Sequence, residues 1–183
     1  MQKKKPQKKF VREIKKPPVH QIDKTDFKLN LNLLLSKNLT LKECLHSDTA
    51  DQNGINNNKI TKEQLLNGQA IATAIFQPVR NECGPIIINS GFRCAALNRE
   101  LKGAAISQHV AFEALDLQCV NNSNAAIFIF IQKNLKFDQL IWEFGTAAAP
   151  QWVHVSFKRL EENRGEVLRS FRNSTGKVYY LPT

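Results

Sequence analysis

Ser107-Gln108-His109-Val110-Ala111-Phe112-Glu113-Ala114-Leu115-Asp116-Leu117-Gln118-Cys119 places an imidazole seven residues ahead of a carboxylate that lies inside an apolar run. Its second half, residues 113–119, has the length and composition of a buried strand. Asp116 stands between Leu115 and Leu117, where an unpaired carboxylate would be heavily penalised. The fold therefore has to bring it a partner. Further strands are expected at Ile86-Ile87-Ile88, from its β-branching, and at residues 137–144 and 152–157. In the last of these, period-two alternation puts Trp152, His154 and Ser156 on one face and Val153, Val155 and Phe157 on the other.

Upstream the pattern is helical. Thr40 followed by Glu43, and Thr61 followed by Gln64, are two capping boxes. The first opens a short helix through Leu45 and His46. The second opens a long one, whose stripe Leu65, Ala72, Ile75, Phe76 and Val79 runs to the Cys83-Gly84-Pro85 breaker. Residues 51–58, with Asn53-Gly54 and three consecutive Asn, read as an exposed turn or loop. A short helix over residues 95–101 stops at Gly103, and the apolar run 127–131 reads as a buried helix started by Ser123. Helices first and a small, mostly antiparallel sheet afterwards make an α+β domain.

The chain has 183 residues, 42% of them hydrophobic and 23% charged, which fits one globular domain and excludes collagen-like, wholly disordered and disulfide-scaffold classes. Of the net charge of +10, +7 sits in residues 1–16. Residues 1–26 thus read as a basic disordered arm that could contact polyanions, either teichoic acid or nucleic acid, with the domain proper at 27–183. The cysteines Cys44, Cys83, Cys94 and Cys119 form no CxxC pair. They read as buried thiols, although their even number also permits two disulfides. Polar residues and prolines stand where a signal peptide would carry its apolar core, and no apolar run is long enough to cross a bilayer. No signal peptide and no membrane span are expected, and the protein reads as a monomer.

Two imidazoles and one carboxylate, His109, Asp116 and His154, with no fourth protein ligand, have the makeup of a catalytic zinc site with an open position. Zinc in such a site lowers the pKa of bound water toward ~7 and polarises a scissile carbonyl. The same ligands also serve non-haem iron, so residue identity alone leaves the metal open. The usual iron motif, however, has its carboxylate two positions after the first His rather than seven.

Ser-x-His-x-x-x-x-Ala-x-Asp followed by Trp-x-His resembles the zinc D-alanyl-D-alanine carboxypeptidase family. That family includes dipeptidases, phage peptidoglycan endopeptidases and hedgehog-like relatives. Ser90-Gly91-Phe92-Arg93, Asp138-Gln139-Leu140-Ile141-Trp142-Glu143 and Asn163-Arg164-Gly165-Glu166-Val167-Leu168 extend the likeness to its small phage-associated branch, from about Phe27 to Tyr180. The resemblance implies the hedgehog/D-Ala-D-Ala-peptidase fold, with His109, Asp116 and His154 as zinc ligands. It also implies that Arg93 pairs with a substrate carboxylate and that Ser107 contacts the peptide near the metal.

Three positions depart from the family pattern. Phe112 stands where Gly is usual, so a bulky residue meets a turn that calls for positive φ. Phe92 replaces a common Tyr. Gln151 occupies the position of the dipeptidase general base and cannot take a proton. Glu143 is the substitute, because an odd-sum hairpin register between 137–144 and 152–157 would put it on the face of His154. Glu113 is a weaker rival, since alternation places it opposite Asp116.

The expected function is hydrolysis of an amide bond in the stem peptides of bacterial peptidoglycan by a zinc carboxypeptidase or endopeptidase. The enzyme would be a phage-type lysin or virion-associated hydrolase, made in the cytoplasm and acting in the periplasm or cell wall or carried in a virion. Gln151 and Phe112 favour an alternative, a catalytically silent zinc-containing binding module of the same fold.

Overall fold

The computed structural model of the protein describes residues 29–183. The expected disordered arm at 1–26 lies outside them. The chain is α+β. A two-stranded ribbon, β1 (Leu34–Ser36) and β2 (Leu39–Thr40), leads into α1 (Leu41–Leu45) and α2 (Asp48–Gln52). Both capping boxes form as expected, Thr40 with Glu43 on α1 and Thr61 with Gln64 on α3 (Lys62–Ile71). The long helix continues through a π-helical turn, Ala72–Phe76, into α4 (Gln77–Cys83). Pro78 removes a donor from the helical ladder, and the π turn lies directly ahead of it, where the hydrogen bonding is reset. Ile71, Ala72, Ile75, Phe76 and Val79 face the core.

A six-stranded sheet follows, built from β3 (Ile86–Ser90), β4 (Ala114–Cys119), β5 (Gln139–Glu143), β6 (Trp152–Ser156), β7 (Glu166–Arg172) and β8 (Val178–Pro182), with α5 (Ala95–Glu100) and α6 (Asn124–Asn134) in the connections. Its order is β3-β4-β6-β5-β7-β8. Every pairing is antiparallel except β5 with β7, which is parallel. The sheet is therefore mixed and larger than the sequence indicates, because β7 and β8 were not among the expected strands.

One face of the sheet packs on α3 and α6. Leu115 and Leu117 of β4, Val153 and Val155 of β6, and Leu140 of β5 are buried there with Ile127 and Ile131. The other face is the floor of a cleft. Among the described residues no helix is long and apolar enough to cross a membrane. The four cysteines are free thiols, with Cys44, Cys83 and Cys119 buried and Cys94 partly so. Cys94 caps α5, its sulfur accepting from the Leu97 amide.

The stretch 51–58 is mostly exposed turn and loop, as the sequence indicates, with two departures. It begins in the last turn of α2, and Asn57 is buried rather than exposed. Its side-chain amide donates to the Leu45 and Phe92 carbonyls, and its Oδ1 accepts from the Cys94 amide. An Asn-rich stretch reads as solvent-facing, yet this residue satisfies backbone groups that would otherwise be buried unpaired.

Candidate active site

Strand register gathers the site. Asp116 of β4 pairs with His154 of β6 on one side and with Ser90 of β3 on the other. In the β5–β6 hairpin, Glu143 lies opposite Trp152 and Ile141 opposite His154, the odd-sum register expected from the sequence. Paired residues share a face and alternate residues return to it, so Asp116, His154, Ile141 and Glu143 all project into the cleft. His109 arrives from the turn that precedes β4.

The three groups are buried, and their ligating atoms lie within 4.8 Å of one another. His109 Nδ1 donates to the Gly91 carbonyl at 2.7 Å, which leaves Nε2 free and turned to Asp116 Oδ2 at 3.4 Å. His154 Nδ1 faces Asp116 Oδ1 at 2.9 Å. A histidine oriented by a backbone carbonyl through one nitrogen and left open at the other is the usual preparation of a metal ligand. Two imidazoles and a carboxylate also form a donor set that zinc accepts. The residues therefore fit the ion. Gly91 has a steric reason to be glycine, since a Cβ there would press on the Cys44 backbone, and the Phe92 amide donates to the Cys44 carbonyl beside it.

Burial alone would raise the carboxyl of Asp116, but the charges and hydrogen bonds of His109 and His154 outweigh it and hold the group well below the ordinary carboxylate range. Burial pushes His109 down, toward the neutral form that can ligate a metal. Glu143 moves the other way. Burial raises it, opposed by the Ser170 hydroxyl, which donates to Oε2 at 2.6 Å. A carboxyl raised by burial beside a cluster of groups that could hold a metal is suited to proton transfer.

Arg93 lines the cleft but is already partly engaged, with Nε donating to Ser90 Oγ and Nη2 to Asp116 Oδ2 at 2.9 Å. Ser107 lines the same cleft, two residues before His109. Glu113 and Gln151 do not. Glu113 precedes β4 near Lys158 and Glu161, and Gln151 is exposed at the end of the hairpin loop. Phe112 does adopt the left-handed backbone, at φ +59°. Its ring is fully buried, packed on Gly68 and 5.7 Å from the ring of Phe92.

Two supports were not visible in the sequence. Asp138, fully buried, accepts from Gln108 Nε2 at 2.8 Å and from Arg164 Nε and Nη2 at 2.9 and 2.6 Å. It thereby ties the residue beside His109 to the loop before β7. Ser170 is the other, since β7 was not expected to reach the site. The signals were faint, a single Gln next to the histidine and the alternation of residues 166–172. The whole cleft has a volume of about 620 Å³.

A model of the Peptidase M15 family matches residues 37–156. No curated protein matches the chain significantly.

Proposed function

Because the chain belongs to the Peptidase M15 family, the zinc D-Ala-D-Ala carboxypeptidases, we propose that it hydrolyses an amide bond in the stem peptides of bacterial peptidoglycan. The observation that carries this reading is the buried His109–Asp116–His154 cluster facing a cleft that also holds Glu143. His109 Nε2, an Asp116 oxygen and His154 Nδ1 would hold the ion. Zinc, when bound, supplies a Lewis acid that polarises a carbonyl oxygen and acidifies water. Glu143 acts as the general base, taking the proton of the attacking water on a carboxylate oxygen and returning it to the departing amine. Ser170 keeps that carboxylate oriented through its 2.6 Å hydrogen bond. Arg93 has donors beyond those given to Ser90 and Asp116, and these contact a substrate carboxylate. Ser107 contacts the peptide beside the metal.

The silent-module alternative drew on Gln151 and Phe112, and the buried carboxylate of Glu143 on the face of His154 weighs against the first of these. The setting we favour is a phage-type lysin or virion-associated hydrolase at the cell wall. The test is digestion of purified peptidoglycan, with products identified by mass spectrometry with and without chelator. Defined stem-peptide fragments are expected, and they should disappear when zinc is removed. Glu143→Gln should retain zinc while losing ~100-fold or more in turnover. Full activity of Glu143→Gln would overturn the base assignment, and the release of neither an amino acid nor a peptide from walls incubated with the zinc-loaded protein would overturn the function.

A further inference from the structure

The β7–β8 hairpin lies beyond the matched residues 37–156, yet it builds one wall of the cleft. In the parallel pairing of β5 with β7, Ile141 lies opposite Leu168, so Leu168, Ser170 and Arg172 share the face of Ile141, Glu143 and His154. Across the hairpin, Ser170 pairs with Tyr180 and Arg172 with Val178, which brings Tyr180 onto the same face. Both Arg172 and Tyr180 line the cleft.

The charges of the cleft are unevenly committed. Its two carboxylates are both engaged, Asp116 by Arg93 and the two histidines and Glu143 by Ser170. Arg93 is itself tied to Asp116. Two further cations line the cleft, Lys102 and Arg172, and among the described residues neither makes an ion pair. Arg172 is also held in place, its guanidinium carbon 4.6 Å from the centroid of the Phe144 ring. Stacking on an aromatic face fixes the plane of the guanidinium while leaving its N–H edge free for an acceptor. Half-exposed Tyr180, opposite Ser170 on the next strand, adds a hydroxyl donor to the lining of the same cleft.

We propose that Arg172, with Tyr180 beside it, forms a second carboxylate-reading subsite in the cleft, so that preferred ligands are peptides carrying a free carboxylate away from the scissile bond. A planar fork and a planar carboxylate match in two parallel hydrogen bonds, and free cationic charge in a cleft draws anionic ligands to it. The proposal rests on the peptidase reading for the identity of the ligand as a peptide.

The experiment uses two synthetic stem-type peptides that differ only in whether one acidic side chain is free or amidated. Binding of each to the full chain is measured by calorimetry with chelator present, so that hydrolysis does not intervene. The wild type should prefer the acid ~10-fold or more, the scale of a lost charge-assisted hydrogen bond. In Arg172→Gln the acid-to-amide preference should fall toward one. Arg172→Lys, which keeps the charge but loses the fork, should recover only part of it. An undiminished preference in Arg172→Gln, a wild type that binds the two peptides equally, or one that binds neither would overturn the subsite. If Arg172-dependent preference is present but neither peptide is cleaved once zinc is restored, the peptidase reading fails and the subsite stands.

Discussion

Gly68→Ala should destabilise this protein as it stands and stabilise it once Phe112 is truncated. A Cβ on Gly68 would lie 2.5–2.7 Å from three carbons of the Phe112 ring, about 1 Å inside the ordinary carbon–carbon contact. The ring is fully buried and its backbone sits at φ +59°, so it cannot swing out to solvent. Replacing a glycine in a helix interior by alanine gains about 1 kcal/mol, whereas overpacking a buried ring costs about 1–3 kcal/mol. With three ring atoms overlapped at once the upper figure applies, leaving a net loss of about 2 kcal/mol. In a Phe112→Ala background, itself about 3–5 kcal/mol less stable, the clash is gone and only the helical gain remains. Gly68→Ala then stabilises by about 1 kcal/mol, and the coupling between the two sites is about 3 kcal/mol. Urea unfolding of the four proteins, all with chelator so that metal binding contributes nothing, measures each term at constant m-value. An equal loss from Gly68→Ala in both backgrounds would refute the idea that Phe112 occupies space left by the missing methyl.

Elemental analysis of purified protein should find one zinc per chain, lost in both Asp116→Ala and His154→Ala; a full equivalent retained in either variant removes that residue from the ligand set. Ser170→Ala takes a donor from the Glu143 carboxylate, so the ionised form is less favoured and the group titrates higher. The acid limb of the pH–kcat/KM profile should move to higher pH, and an unmoved limb would separate Glu143 from the titration that limb reports. Arg164 and Gln108 hold Asp138 below the ordinary carboxylate range against the opposing effect of burial, so its contribution to stability is complete above its unfolded value of ~4 and is lost as pH falls through the folded value. Asp138→Asn should therefore cost about 2–3 kcal/mol near neutrality. Its deficit against wild type should shrink in denaturant melts below about pH 4, and a constant deficit down to pH 2 would contradict the assignment.

The parts of the site legible in the sequence were those set by short-range rules. A carboxylate between two leucines announces a pairing, alternation places His154 on the polar face, and the register of a single hairpin determines which face Glu143 joins. Capping boxes at Thr40 and Thr61 work the same way, since the residues that bond are three apart. What stayed hidden depends on distant parts of the chain. The pairing of β5 with β7 is parallel and joins strands separated by another strand and a long loop, so no local spacing encodes it. Residues 166–172 carry Ser170 and Arg172 on the cleft face, and polar side chains there look like the solvent side of an edge strand. Asn57 and Asp138 are polar residues whose burial follows from the groups they satisfy, and those groups lie on other elements.

The hairpin that carries Glu143, the proposed base, is fixed by its loop. Side chains alternate, so a slip of one residue in the β5–β6 pairing would withdraw Glu143 from the cleft and present Trp142 or Phe144 instead. The loop resists this at several points. Phe144 and Gly145 both take positive φ, at +50° and +75°, and the Thr146 amide donates to the Ala149 carbonyl at 2.9 Å. Two side chains converge on the Thr146 carbonyl, Trp142 through its indole N–H at 3.1 Å and Arg169 of β7 at 2.8 Å. From the helical layer, Asn124 donates to the Gln151 carbonyl at 2.7 Å, and the Gln151 amide closes on the Glu143 carbonyl at 2.9 Å. Gln151 thus contributes backbone to the loop that sets the register, while its side chain stays outside the cleft. On the proposed mechanism a carboxylate at position 151 is not needed, because the register held there delivers one from β5 to the face of Asp116 and His154.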